Sequence, residues 1–165
     1  MTTARTSFAR RSFRGVAVAA IAGAGIALSP RPASAHTAVA ASASATAVSS
    51  AAQTAVNTAL AQVGDRYVYG ATGPNSFDCS GLTTFSYKAA GISLPRTSKA
   101  QSGFGAPVSK ANLQPGDLVF FYSPVSHVAM YIGNGQIVHA LNSSKPVQVM
   151  KLDSMPSNAG ARRVA

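Results

Sequence analysis

The hydrophobic pattern of this 165-residue chain changes period near its middle. Val56, Leu60 and Val63 recur at i, i+4 and i+7, the stripe of an amphipathic helix, and Gly64 supplies its stop signal. A loop containing Gly70, Gly73 and Pro74 then leads to Asp78. From Cys79 a second helix is predicted through Leu82, Phe85 and Ala89 to a stop at Gly91, with Asp78 or Cys79 at its start. Past Pro95, Thr97 or Ser98 caps a short helical turn around Gln101, and a loop runs on to Pro115-Gly116. Beyond that point short β-rich runs separated by turn residues predict strands at 118–122, 128–132, 136–139 and 147–152, with a last edge strand at 162–164. Helices first and strands second predict an α+β domain, its N-terminal helices packed on an antiparallel sheet.

The N-terminal pattern is different. Arg5, Arg10, Arg11 and Arg14 precede an apolar run over 16–28 and then Ala33-Ser34-Ala35, so residues 1–35 read as an export signal cleaved after Ala35. Arg10-Arg11-Ser12-Phe13 fits either a twin-arginine address or an ordinary secretory signal with a chance arginine pair. The apolar run contains Gly23 and Gly25, is soon followed by Pro30, and falls short of the roughly 20 residues that span a bilayer, so no stable membrane anchor is expected. Residues 36–53 are mainly Ala, Ser, Thr and Val, too little bulk for a core, and read as a flexible leader. This leaves 54–165 as one domain carrying the function, expected to be monomeric and extracellular or associated with the cell wall.

Loss of the signal changes the charge. The full chain carries +10, but the mature part sets nine basic residues against four acidic ones, a net +5. Those nine are scattered, with no run of the kind that tracks a phosphate backbone, so nucleic acid is not an expected partner. A modest positive charge is compatible with retention at an anionic wall and equally with plain solubility.

Cysteine content decides more. The chain has a single cysteine, Cys79, so no internal disulfide can form, and an unpaired thiol in an exported protein is either buried or used. Its predicted position at a helix start favours a thiolate, with a pKa below the free-thiol value of about 8.5. A cysteine hydrolase also needs a base and a group that orients the base. The histidines outside the leader are His127 and His139, on strands joined by Gly133-Asn134-Gly135. If Asn134-Gly135 alone is the turn, His139 pairs with Met130 and faces away from His127. If all three residues form the loop, His139 pairs with Ala129, and the two histidines are diagonal neighbours roughly 7 to 8 Å apart at the backbone. A catalytic pair requires the second register, with His127 as base and His139 holding its orientation. The oxyanion of such a reaction would meet the Cys79 backbone N–H and a hydroxyl from Tyr67 or Tyr69. A Cys-His-His metal site lacks a fourth ligand and a close-spaced ligand pair, so no metal or other cofactor is expected.

Five ordered motifs carry a family resemblance: Tyr67 with Asp78-Cys79-Ser80-Gly81-Leu82; Leu94-Pro95-Arg96-Thr97-Ser98 with Gln101; Leu113-Gln114-Pro115-Gly116-Asp117-Leu118; His127-Val128-Ala129-Met130-Tyr131-Ile132-Gly133; and His139-Ala140. Over about 60–165 the chain resembles the NlpC/P60 family of papain-like cell-wall cysteine peptidases. The resemblance implies a peptidoglycan endopeptidase, with stem peptides as substrate and the γ-D-glutamyl–diamino acid bond as the one cut. It also implies Cys79 as nucleophile, His127 as base, His139 as third polar residue and Tyr67 beside the nucleophile. Asp78 and Ser80 would contribute to recognition, a carboxylate meeting the free amine of the stem peptide; locally, Asp78 also suits a helix cap. Ala71 and Ala129 stand where the family often has glycine, each adding a methyl near the cleft. Two other functions share such a chain: a wall-binding module without turnover, and an acyl or peptidyl transferase working through the same thioester.

Overall fold

The computed structural model describes residues 48–165; the expected signal and the leader up to residue 47 lie outside the described residues. Helix α1 spans Ser50–Ala61, capped by Ser49, whose hydroxyl accepts the Ala52 N–H at 3.0 Å. It therefore begins inside the stretch read as leader, because alanine is the strongest helix former and a serine cap stands ready before it. Its buried face also differs from the predicted stripe. Ala52, Ala55, Val56 and Ala59 point inward, whereas Leu60 and Val63 are 38% and 47% exposed. Small side chains permit the close approach: a methyl built on Gly116 would lie 2.6 Å from the Ala52 methyl.

Strands β1 (Arg66–Tyr67) and β2 (Ser76–Phe77) form a small parallel pair before helix α2 (Cys79–Ala89) and the short helix α3 (Ser98–Gln101). The remaining strands are β3 (Ala106–Val108), β4 (Leu118–Phe121), β5 (His127–Gly133), β6 (Gln136–His139), β7 (Gln148–Lys151) and β8 (Asn158–Arg163). They build one antiparallel sheet in the order β3-β8-β4-β5-β6-β7. The α+β class with helices against an antiparallel sheet is as expected, with one correction at the C-terminus. The strand placed at 162–164 on the edge is β8, inside the sheet, because β3 covers its outer side.

Alternation along β4 and β5 divides the core. Leu118, Phe120, Val128, Met130 and Val138 pack with Val56, Phe77, Leu82 and Tyr87, while Val119, Phe121, Ala129 and Ile137 meet Leu152 and Ala161 in a second cluster. The Tyr87 hydroxyl donates to the Gly116 carbonyl at 2.6 Å and fastens α2 to the chain entering β4. A fixed sheet and a fixed α2 are what the site requires.

The β5–β6 hairpin settles the register by a route outside the two alternatives. Asn134 and Gly135 alone form the turn, both at positive φ (53° and 69°), the signature of a two-residue hairpin loop. Gly133 pairs with Gln136, yet Met130 pairs with Val138, so the ladder slips by one residue between Tyr131 and Gly133. Ile132 is the extra residue of a β-bulge. Carried along the strands, this register sets His139 opposite Ala129 and on the same face as His127. Deleting Ile132 removes only the extra residue, and is expected to leave a regular ladder in which Tyr131 still pairs with Ile137 and His139 still lies opposite Ala129. The nuclear Overhauser contact between the two imidazole rings is then expected to persist along with the strand content by circular dichroism; a lost ring contact in a folded variant would contradict this account.

Candidate active site

Helix α2 starts where it does because of Asp78. Its Oδ1 accepts the Gly81 N–H at 2.7 Å, and its Oδ2 accepts the Gly70 N–H at 2.8 Å, which ties the preceding loop to the helix. Arg96 closes on the same carboxylate with both nitrogens, Nη1 to Oδ1 at 3.1 Å and Nη2 to Oδ2 at 2.6 Å, and Nη1 also reaches the Ser80 hydroxyl at 2.9 Å. Burial alone would raise the Asp78 carboxyl, but Arg96 and the two backbone donors outweigh it and hold its pKa below the ordinary value. Loop and helix meet so closely that a methyl on Gly81 would overlap the Ala71 carbonyl oxygen.

Gln101 anchors the far side. Fully buried, it donates from Nε2 to the carbonyls of Pro95 at 2.9 Å and Ser80 at 3.2 Å, and its Oε1 accepts from the Thr83 hydroxyl at 2.8 Å. The segment carrying Arg96 is thereby held to the first turns of α2.

Cys79 is the first residue of α2, half-buried, with the backbone N–H groups of Val128 and Ser80 directed at its sulfur. The expectation of a lowered thiol pKa is corrected here. Burial pushes the Cys79 thiol up and the Asp78 carboxylate adds to that, against the smaller pull of the Val128 and Ser80 donors. Burial is the main physical reason, and the carboxylate of Asp78, one residue earlier, adds to it by occupying the electropositive end of the helix.

His127 opens β5 and His139 closes β6, 4% and 0% exposed, with His127 Nε2 and His139 Nδ1 3.0 Å apart. The Phe121 ring flanks His127 at a centroid distance of 5.8 Å. Burial lowers the pKa of both histidines; His139 adds to the effect on His127, and Lys145 to that on His139. Both rings are therefore neutral at pH 7. For His127 to accept a proton on Nδ1, its Nε2 must carry one and donate it to His139 Nδ1. That leaves the proton of His139 on Nε2, the one buried side-chain nitrogen without a partner among the described residues.

A cavity of about 370 Å³ opens at the start of α2, and its lining includes Tyr67, Tyr69, Asp78, Cys79, Ser80 and Arg96. Of the residues singled out from sequence, Tyr67, Asp78, Cys79 and Ser80 thus share one cavity; His127 and His139 are paired with each other outside its lining, and Ser126, next to His127, lines it. Burial, with the negative charges of Cys79 and Asp78 next, raises the pKa of the Tyr67 phenol, so it is a hydroxyl donor at neutral pH. Tyr69 lines the same cavity but is 90% exposed. Arg96 was not singled out: it stood only as one letter of a motif, and its partner lies 18 residues away. Ala129, expected near the cleft, is fully buried in the second core cluster, so its methyl takes no space from the cavity.

Residues 64–162 match the sequence profile of the NlpC/P60 family. The chain belongs to the NlpC/P60 family. It is 49% identical over 114 residues to a probable endopeptidase of Corynebacterium glutamicum, covering 69% of this chain and 54% of that protein. It is 40% identical over 121 residues to a γ-D-glutamyl-L-lysine dipeptidyl-peptidase of Bacillus cereus, covering 68% and 36%. Among solved structures, the peptidoglycan hydrolase RipB of Mycobacterium tuberculosis superposes with a TM-score of 0.63 at 28% identity, covering 69% of this chain and 64% of that one. The chain spans about half the length of the Corynebacterium relative. No helix of the described residues is long and apolar enough to cross a membrane.

In this NlpC/P60 domain the raised thiol and the lowered imidazoles combine into a neutral resting pair, not a thiolate–imidazolium pair. Alkylation of Cys79 by iodoacetamide is expected to rise about tenfold per pH unit through the range below the free-thiol pKa of about 8.5, with no plateau between pH 5 and 8. A flat rate from pH 5 upward would mean that the thiolate is already formed.

Proposed function

We propose that this chain is an exported peptidoglycan endopeptidase that hydrolyses stem peptides at the bond between γ-D-glutamate and the diamino acid, with Cys79 as nucleophile. One observation carries the reading: the cavity lined by Cys79 is also lined by Ser126, the neighbour of His127 in a buried His127–His139 pair 3.0 Å apart, and the Val128 N–H on the other side of His127 is directed at the sulfur. The family and the name of the Bacillus cereus relative support the substrate class and the bond. Basic residues followed by an apolar run at the N-terminus support export.

As substrate displaces water from the cavity, His127 Nδ1 takes the proton of the Cys79 thiol while the sulfur attacks the γ-carbonyl carbon. The developing oxyanion receives hydrogen bonds from the Cys79 backbone N–H and the Tyr67 hydroxyl. His127 then gives its proton to the departing α-amine of the diamino acid, and the C–N bond breaks to leave a thioester. Water, deprotonated by the same imidazole, attacks the thioester; the acid is released and the thiol restored. His139 never exchanges that proton but keeps Nδ1 of His127 free to accept it. Asp78 and Ser80 lie where the free amine at the start of the stem peptide is met, and Arg96 keeps that carboxylate ionised.

Digestion of purified peptidoglycan by the mature domain is expected to release fragments whose masses mark a cut between D-glutamate and the diamino acid, and Cys79→Ala is expected to release none. Equal release by both proteins would defeat the proposal. His139→Leu removes the acceptor for His127 Nε2–H and is expected to lower kcat by about 100-fold, within the usual worth of an oriented acid–base group. His139→Asn restores an acceptor and is expected to recover most of that loss in the same steady-state assay.

A further inference from the structure

Tyr67 has a second side. The loop over 141–147 stands against β1, fastened by the Gly64 N–H to the Val147 carbonyl at 2.9 Å and by the Val147 N–H to the Asp65 carbonyl at 2.8 Å. Between them lies a cavity of about 250 Å³ lined by Arg66, Tyr67, Ser143, Ser144, Lys145 and Pro146. The tyrosine is a wall common to this cavity and to the one that exposes Cys79. The loop also belongs to the catalytic neighbourhood, since Lys145 is close enough to His139 for its charge to disfavour protonation of that ring.

The charge of this cavity is one-sided. The whole chain has only four acidic side chains; three are taken, Asp78 by Arg96, Asp117 by Arg163 and Asp153 by Lys110, and the fourth, Asp65, precedes Arg66 in the chain but is neither in the lining of this cavity nor ion-paired with Arg66 or Lys145. Arg66 and Lys145 form no ion pair among the described residues, and both are exposed. Two unneutralised cations, two serine hydroxyls and a tyrosine wall in one concave site are the chemistry that selects a carboxylate.

We infer that this second cavity is a subsite for a carboxylate on the leaving side of the scissile bond. The inference rests on the proposed cut at the γ-D-glutamyl bond. Asp78, the group suited to the amine end of the stem peptide, faces the first cavity. The product that departs, a diamino acid followed by D-alanine, then lies on the far side of Tyr67. That product carries its negative charge at the C-terminus, and a second one when the diamino acid bears a side-chain carboxylate. Arg66 and Lys145 are therefore specificity residues that recognise the leaving peptide, and neither takes part in the bond chemistry.

Binding of the product dipeptides tests this without turnover. L-Lysyl-D-alanine and meso-diaminopimelyl-D-alanine, each as free acid and as C-terminal amide, are titrated calorimetrically into the mature domain and into Arg66→Gln/Lys145→Gln. The substitutions are on the surface, and an unchanged unfolding midpoint verifies the fold. The free acid is expected to bind about tenfold more tightly than the amide, by a margin that shrinks as salt is raised and falls below twofold in the double variant. A preference of the lysyl acid over its amide assigns the C-terminal carboxylate; a preference that survives amidation only in the diaminopimelyl peptide assigns the side-chain one. Equal binding of acids and amides together with equal binding of the lysyl and diaminopimelyl peptides by the unaltered domain, or a preference untouched by the double substitution, overturns the inference. Because no bond is cut, an absence of peptidoglycan hydrolysis would refute the proposed function and leave this result standing by itself.

Discussion

A single buried carboxylate organises the candidate active site of this molecule. Asp78 caps α2, draws in the loop at Gly70 and is clasped by Arg96, so three segments far apart in the chain converge on two oxygen atoms. A carboxylate removed from water at this depth is tolerated only when each lone pair is answered, and here each oxygen has a backbone donor and a guanidinium donor. Position of the proposed nucleophile follows from that cluster: Cys79 is the next residue, the first of α2. The same cluster denies the sulfur the helix end that would otherwise have stabilised its anion.

The sheet answers the helix from the other side. His127 is placed by β5, whose neighbours β4 and β6 are both antiparallel and whose residues 127–130 are all buried, so the ring has little freedom to swing. The partner ring is placed by β6, and the bulge at Ile132 is what lets a tight two-residue turn coexist with two histidines on one face. Two local preferences that conflict in a regular hairpin, turn geometry and side-chain direction, are reconciled by one unpaired residue.

Much of this was legible in the sequence where signals are local. Asp78 before an apolar 3.6-residue period, with Gly91 after it, marks α2 at both ends, and β4 to β7 carry enough β-branched and aromatic residues to be seen singly. What escaped depends on partners. The inner face of α1 is made of alanines, whose hydropathy is unremarkable but whose size allows contact with Gly116. Strand β3 contains Pro107, tolerated because β3 is an edge, and β8 reads Asn-Ala-Gly-Ala-Arg-Arg, with no alternation to betray it. Arg96 joins Asp78 across 18 residues, a pairing no periodicity announces. Pattern also placed the thiol at a helix start with Asp78 as a candidate cap, but could not show that burial, with that carboxylate, raises the thiol.

The raised thiol pKa bears on the durability of the proposed nucleophile. Peroxides and other oxidants attack the thiolate and carry it to sulfenic acid and beyond, whereas the protonated sulfur reacts sluggishly. With no second cysteine in the chain, a sulfenic acid here has no internal thiol to condense with and be rescued by. In the proposed mechanism, a thiol held protonated until His127 removes its proton keeps the sole cysteine of the chain in reserve between turnovers, and burial, with the carboxylate that shapes the site, is what shelters it.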